Sequence, residues 1–476
     1  MSSLNRRRFL AAAGGGLLGA SLLRQPAFLL AQDAWGELSP CGPGAVYRPP
    51  VRAAFVRRKE EYGMLWPGAV YDGAQAKANY GRRLVTAADE LGIDLALREE
   101  PLYSIEETGA WLEEAKAAKT DGLALIVLDR QQHAWPSAVK MVESGIPSVI
   151  FAPVGTAFTT NTESLAGREG AYVCSTNDFS RAVYGLRMIK AGARLREMRY
   201  LVIAGNEKKD TPLEFFGTKL RYLPAANFLE EYNRTPTSAE IRAMSTDFIR
   251  RAVTLHDATE QDVVNGVKSF VVARNILRRE QGDGITMDCL GALGPSKVSL
   301  PCISWARMND CGVPAACEAD LGACVTHAIV QFLFERPGFQ QDPVPETAAG
   351  CLIGSHCSCP TRLNGFNSPA EPYKITHHHG MRDASVVTEW KTGARATVAD
   401  LILTGGKPEM VISAGTVTDN VAVPPSGGCV VAVMLKLDGV SEYLNYPGFH
   451  QLFFYGDYKR ELADYCRLWG ITAKVV

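Results

Sequence analysis

An uninterrupted apolar run at residues 123–128 (Leu-Ala-Leu-Ile-Val-Leu) constrains the fold of this chain most strongly. Such a run, bounded by turn residues, is typical of a strand in a parallel sheet that is covered on both faces. Amphipathic helices are predicted before it, at residues 75–91 and 105–118, and Ser104 and Glu107 have the spacing of a capping box. This alternation of strands and helices predicts an open α/β domain over about residues 50–155.

The alternation resumes after a Thr/Gly-rich stretch at residues 155–170 and changes character near residue 346. Beyond that point, short β runs separated by Gly/Pro turns predict a β-rich region that ends in a helix. We therefore predict an α/β chain with two open α/β (Rossmann-like) domains followed by a β-rich C-terminal domain. The predicted boundaries are 32–155, 156–345 and 346–476.

The first 31 residues have the composition of an export signal. They contain four Arg and no acidic residue, and Arg6-Arg7-Arg8-Phe9-Leu10 resembles the core of a twin-arginine signal. The uncharged stretch at residues 9–23 is too short to span a bilayer. We predict cleavage near Ala31, export by the twin-arginine machinery and a periplasmic location.

The charge balance excludes one class of partner. The chain has 50 Lys+Arg against 51 Asp+Glu, and without the four Arg of the signal there are 46 basic residues against 51 acidic ones. A protein held on nucleic acid by bulk charge needs a basic excess, so no nucleic-acid partner is expected. The composition also argues against several membrane spans, and none is expected in the mature chain.

Twelve Cys are present, eight of them between Cys289 and Cys359. Their pairing cannot be deduced from the sequence, and no second close pair accompanies Cys357-x-Cys359 as a zinc site would require. Most are predicted to be small buried apolar residues. The run His377-His378-His379 is predicted to form a polar surface turn, with a metal-binding loop as the alternative.

The sequence lacks the phosphate-binding motifs GxGxxG and GxxxxGK[ST] and the nucleophile motif GxSxG. Glu318 and Asp320 stand out because they follow an apolar stretch and precede a predicted helix. This is a common position for a ligand or a base in α/β proteins, although helix capping is the alternative. His450 lies in the apolar stretch 448–454, where a buried core histidine is the alternative to a ligand.

Taken together, these segments resemble the L-fucose isomerase and L-arabinose isomerase superfamily. The resemblance rests on Cys317-Glu318-Ala319-Asp320, on Phe339-Gln340-Gln341-Asp342 with Asp342 24 residues after Glu318, on Gly354-Ser355-His356 and on His450. It implies that Glu318, Asp342, His450 and His356 bind Mn²⁺ or Mg²⁺ and that the two carboxylates also transfer protons. Asp320 is then expected to orient a ligand, and Trp305, Arg307 and Asn309 to contact the sugar.

The implied activity is metal-dependent aldose–ketose isomerisation of a free sugar or sugar derivative through an enediol, by a homo-oligomer. The alternative from a different class is an exported, non-catalytic carbohydrate-binding protein that has kept the isomerase fold.

Overall fold

The computed structural model describes residue 35 and residues 38–60, 64–65, 69–130, 132–293, 298–378, 382–403, 405–422 and 429–476. The predicted export signal and His379 lie outside these residues. No helix among the described residues is long and apolar enough to cross a membrane.

A five-stranded parallel sheet begins the fold. The elements of this region are α1 (Pro43–Val46), β1 (Pro50–Val56), β2 (Met64–Leu65), β3 (Ala69–Val70), α2 (Gly73–Leu91), β4 (Asp94–Leu97), α3 (Ile105–Ala117), β5 (Gly122–Val127), α4 (Ala134–Glu143), β6 (Ser148–Ala152), α5 (Thr159–Thr162), β7 (Ala171–Ser175) and α6 (Ser180–Glu197). The strand order is β4-β1-β5-β6-β7, and all pairings are parallel.

The apolar run at residues 123–128 explains why this sheet is covered on both faces. Every residue of β5 is buried. Leu125 packs in a core with residues of α3 and α4, whereas Ile126 packs in the core on the other face with residues of α2 and α6. Successive strand residues point to opposite faces, so helices must cover both, and the predicted α/β class is confirmed.

A second, mostly parallel sheet follows. Its region contains β8 (Arg199–Ile203), β9 (Lys209–Pro212), β10 (Lys219–Leu223), α7 (Ala225–Arg234), α8 (Ala239–Arg251), β11 (Thr254–Leu255), α9 (Glu260–Arg279), β12 (Gly284–Met287), α10 (Cys289–Leu293), α11 (Cys302–Asp310), β13 (Ala315–Cys317) and α12 (Leu321–Phe334). The strand order is β13-β12-β8-β10-β9, and only the edge strand β9 is antiparallel. The sheet ends at β13, whose last residue directly precedes Glu318.

The C-terminal region is a closed barrel. Its elements are β14 (Phe339–Glu346), β15 (Cys351–His356), β16 (Tyr373–His378), β17 (Arg382–Thr388), β18 (Arg395–Ile402), β19 (Glu409–Asn420), β20 (Val431–Leu437), β21 (Gln451–Tyr455), α13 (Lys459–Trp469) and β22 (Thr472–Val475). The order β18-β21-β14-β15-β20-β19 closes because β18 also pairs with β19. β22 extends β19 as a parallel strand, and β11, β16 and β17 form a separate sheet. The β-rich C-terminal region is confirmed.

The strand pairings correct the predicted boundaries in two places. The predicted boundary places β7 in the second domain, but β7 pairs with β6 and completes the first sheet. β14 begins at Phe339, before the predicted boundary at 346, and already belongs to the barrel. Both predicted boundaries lie at turn-rich segments, whereas hydrogen bonding between strands decides which sheet a strand joins.

The predicted surface turn at His377-His378-His379 is also wrong for its first two residues. They end β16, and His378 is buried. A register shift between His377 and His378 in the β16–β17 pairing accompanies this arrangement.

Candidate metal centre

A left-handed turn presents Glu318 and Asp320 at the end of the second sheet. β13 ends at Cys317, and Glu318 and Ala319 follow with φ angles of 63° and 56°. Two successive non-glycine residues in this region are energetically costly, and such strain concentrates at functional sites. The amide of Ala319 donates to Met287 O at 3.0 Å, which holds the turn against β12. Asp320 then caps α12 by accepting a hydrogen bond from the amide of Ala323 at 2.8 Å.

Three adjacent barrel strands deliver the other predicted ligands. Asp342 lies on β14 and pairs with Ser355 on β15, whose next and last residue is His356. His450 immediately precedes β21, which pairs with β14 on its other side. Although these residues are up to 108 positions apart in the chain, the barrel brings them to one edge, opposite the turn after β13.

His450 is the centre of the cluster. Its Nε2 lies 3.4 Å from Oε2 of Glu318 and 3.2 Å from Oδ1 of Asp342, and its Nδ1 lies 2.9 Å from Oδ2 of Asp320. His356 Nε2 is 3.7 Å from Oε1 of Glu318. One ligand atom each of Glu318, His356 and His450 therefore lies within 4.8 Å of the other two. Asp342 lies beside Nε2 of His450, and Asp320 contacts the other ring nitrogen.

The carboxylates around His450 favour a positive charge at its Nε2. Burial alone would lower its pKa, but hydrogen bonds to Asp320 and Glu318 and the charge of Asp342 raise the pKa of His450 to about 10. The hydrogen bond from His450 also holds the pKa of Glu318 below its usual range, whereas burial raises the pKa of Asp342. Without a metal, a proton on Nε2 supplies the positive charge.

Asp320 fixes the orientation of His450. Burial disfavours its charge, but hydrogen bonds from His450 and Ala323 keep its pKa low, so Asp320 is ionised and can only accept. Nδ1 of His450 therefore carries the proton of that bond, and Nε2 is the nitrogen that faces Glu318 and Asp342. Metal-binding histidines commonly have such a carboxylate on the second nitrogen. Asp320 therefore caps α12 with one carboxylate oxygen and orients His450 with the other.

The donor set fits a divalent cation that prefers oxygen. Oδ1 of Asp342 is buried and accepts no hydrogen bond from any residue that the structure describes. The side chains of Glu318 and Asp342 keep 34% and 31% of their area exposed, against 7% for His450, so a solute can reach the carboxylates. Two carboxylates and one imidazole with open positions suit Mn²⁺ or Mg²⁺.

Buried polar groups that the sequence analysis did not single out support the centre. Gln340 accepts a hydrogen bond from the amide of Cys317 at 2.8 Å and ties β14 to the end of β13. Next to it, the side chain of Gln341 donates to that of Gln451 at 3.0 Å. A sequence signal was available for Gln451, the one polar residue before the apolar run Leu-Phe-Phe of β21, and the structure buries both Gln341 and Gln451 fully.

Asp400 holds the segment that carries His450. Its Oδ2 accepts a hydrogen bond from the amide of Phe449 at 2.8 Å. Gly448 has a φ of 97°, and a Cβ there would lie 2.5 Å from the same oxygen, so this position requires glycine. Burial, together with the nearby charge of Asp320, raises the pKa of Asp400 to about 7.

The three residues expected to contact sugar differ in how close they lie to the candidate centre. Asn309 is buried, and its amide group bonds both the amide and the carbonyl of Ala315 and accepts from Gln331. It holds β13 in place, which corrects its expected role as a sugar contact. Trp305 is buried and lines a small cavity beside Glu318, and Arg307 is half-buried on the same helix.

Comparisons with known proteins identify no family for this chain. No family model matches the chain, and no curated protein sequence matches it. Among solved structures, a periplasmic sugar-binding protein of an ABC sugar transporter from Legionella pneumophila is 12% identical over 61% of this chain and 97% of its own, with a TM-score of 0.19. A mutant XylFII-LytSN complex is 14% identical over 53% of this chain and 84% of its own, with a TM-score of 0.17. At these TM-scores, neither similarity carries an argument about fold or function.

Proposed function

We propose that this chain is a metal-dependent aldose–ketose isomerase that acts on a free sugar or sugar derivative. The supporting observation is the convergence of Glu318 and Asp342, two partly exposed carboxylates, on Nε2 of one buried histidine, His450. These residues come from the second sheet and from the barrel, so the site forms only when both regions are folded.

The proposed cation is Mn²⁺ or Mg²⁺, held by Glu318, Asp342 and His450, with His356 as a further ligand. When bound, it supplies a Lewis acid that polarises the sugar carbonyl and orients two neighbouring sugar oxygens. The negative charges of the two carboxylates balance the charge of a divalent cation.

Glu318 and Asp342 then move the proton. One carboxylate accepts the proton of the carbon next to the carbonyl, and the electron pair of that C–H bond forms the double bond of an enediol while the carbonyl oxygen gains a proton. The proton is then returned to the former carbonyl carbon, and the neighbouring hydroxyl loses its proton to become the new carbonyl. Two carboxylates on one substrate can serve as base and acid in turn.

His450 and Asp320 act as positioning residues. The proton on Nδ1 is held by Asp320, so Nε2 keeps its lone pair for the cation. A cation therefore replaces the proton that Nε2 carries in the metal-free chain, and the two compete for the same position.

The test is solvent deuterium incorporation. The purified chain, supplied with Mn²⁺ in D₂O and a panel of aldoses, is expected to form ketose that carries deuterium from the solvent, as observed by NMR. Glu318→Gln and Asp342→Asn should each lose this exchange, whereas Asp419→Asn, a matched change on the exposed end of β19, should retain it.

Other outcomes of the same experiment have definite meanings. Full turnover in Glu318→Gln contradicts the assignment. Ketose formed without deuterium contradicts proton transfer through an exchanging carboxylate and supports a hydride shift. Saturable sugar binding that survives both EDTA and Asp342→Asn, without turnover, supports the non-catalytic carbohydrate-binding protein instead.

We also propose that the protein is exported by the twin-arginine machinery to the periplasm and works there as a homo-oligomer. The first proposal rests on Arg6-Arg7-Arg8-Phe9-Leu10, and the second on the superfamily resemblance. Cell fractionation tests the location, and light scattering of the purified chain tests the oligomeric state.

A further inference from the structure

A second cluster of metal-ligating side chains lies beside the centre described above. Cys302 is the first residue of α11, Cys317 the last of β13, His378 the last of β16, and Cys357 directly follows β15. All four are buried. Four separate elements therefore direct three thiols and one imidazole to one place in the interior.

The distances suit direct coordination. One ligand atom from each of Cys302, Cys357 and His378 lies within 4.8 Å of the other two. With metal–sulfur bonds of about 2.3 Å, two thiolates on one metal lie roughly 4 Å apart, so shifts below an ångström would close the site. The thiol of Cys317 lies within 4.8 Å of that of Cys357, and both residues line the same cavity.

The cavity beside these groups has room for only one small particle. They line a cavity of about 10 Å³, which is room for one water molecule or one ion. Trp305 also lines it, and its Nε1 donates no hydrogen bond to any described residue. Because thiols are weak hydrogen-bonding groups, a water here would find few good partners, whereas a metal ion would find several.

The ligand type separates this cluster from the carboxylate centre. Sulfur and imidazole ligands favour thiophilic cations, whereas carboxylate oxygens favour Mn²⁺ or Mg²⁺. We propose that Cys302, Cys357 and His378, with Cys317 in the fourth position, bind one thiophilic d¹⁰ cation, either Zn²⁺ or Cu⁺. Each thiol that binds loses its proton to the solvent.

The site would join the structural elements that carry the carboxylate centre. Cys317 precedes Glu318 in the chain, and Cys357 follows His356. A bound cation would fix the end of β13 to the end of β15, and so hold Glu318 and His356 in register. The proposal itself does not depend on isomerase activity.

Metal binding to the full-length chain tests the proposal. The reduced chain is stripped with a chelator without oxygen and titrated with Zn²⁺ or Cu⁺ against a competing chelator. We expect one equivalent of one of the two ions to bind tightly, and the competition identifies which. Cys302→Ser, Cys357→Ser and His378→Ala should each weaken binding by more than the roughly 10–100-fold typical of outer residues. The matched control, Cys174→Ser, changes a buried thiol of the first sheet and should bind as the unchanged chain does.

Co²⁺ spectra of the unchanged chain and of Glu318→Gln test the proposal even if the cysteine variants do not fold. If the variants fail to fold, Co²⁺ bound to the unchanged chain should give thiolate charge-transfer bands, and these bands should persist in Glu318→Gln. That persistence separates this site from the carboxylate centre. Lack of thiolate bands, binding by the cysteine variants equal to that of Cys174→Ser, or a Cys302–Cys357 disulfide in the purified chain would each overturn the proposal.

Discussion

Replacing Asp320 by Ala should cost the protein both stability and metal affinity, because this carboxylate makes two separable contacts. Its Oδ1 caps α12 at the amide of Ala323, and its Oδ2 accepts from Nδ1 of His450 at 2.9 Å. Loss of a helix cap costs about 1 kcal/mol, and loss of a hydrogen bond to a charged group costs about 1.5–3 kcal/mol. The expected loss in the free energy of unfolding is therefore about 2.5–4 kcal/mol, together with a loss of roughly 10–100-fold in Mn²⁺ affinity.

Two further variants separate the contribution of the helix cap from that of the hydrogen bond to His450. Asp72→Ala removes a cap of the same type, an acceptor for the amide of Gln75 at 2.8 Å on α2, and should cost only about 1 kcal/mol with no change in Mn²⁺ affinity. Asp320→Asn should keep the cap but weaken Mn²⁺ binding. Urea unfolding of the metal-free chain and Mn²⁺ titration by electron paramagnetic resonance measure both quantities. If Asp320→Ala costs no more stability than Asp72→Ala and binds Mn²⁺ as tightly as the unchanged chain, the orienting role is refuted.

Three other predictions follow from the same contacts. Since the pKa of His450 rises from 6.5 in the unfolded chain to about 10 in the folded one, its stabilisation of the metal-free chain is complete below pH 6.5 and is lost as the pH rises through 10. It is on the order of 5 kcal/mol, and urea unfolding of His450→Gln across this range should lack that pH dependence. Gln340→Ala should cost about 1–3 kcal/mol in the same assay by orphaning the buried amide of Cys317, and an unchanged unfolding midpoint would contradict this. Replacing Arg6 and Arg7 together by Lys should retain the protein in the cytoplasm, as cell fractionation would detect; normal export would argue against the twin-arginine route.

The sequence predicted the local elements of the first sheet well, because their patterns are local. The apolar run at residues 123–128 became β5, and the predicted helices at residues 75–91 and 105–118 became α2 and α3. The assignment of β7 failed because its partner β6 is separated from it by a turn-rich segment, and nothing in the residues of β7 itself specifies the sheet it joins.

The same difference between local patterns and contacts with distant segments applies to the candidate site. Glu318, Asp342 and His450 were named from the resemblance and from their spacing, and the structure brings them together. The residues that hold them, such as Gln340 and Asp400, were not found, because their partners are backbone amides of distant segments. The burial of His378 beside Cys302 was missed for the same reason, since it depends on the pairing of β16 with β11 and β17.

Anomalous diffraction from crystals of the chain grown with Mn²⁺ tests the central claim most directly. The account predicts one manganese peak roughly 2.0–2.6 Å from an oxygen of Glu318, from an oxygen of Asp342 and from Nε2 of His450. The peak should be missing from crystals of Asp342→Asn grown in the same way. Manganese bound elsewhere, or equal occupancy in the variant, would contradict the assignment of these residues as a metal centre.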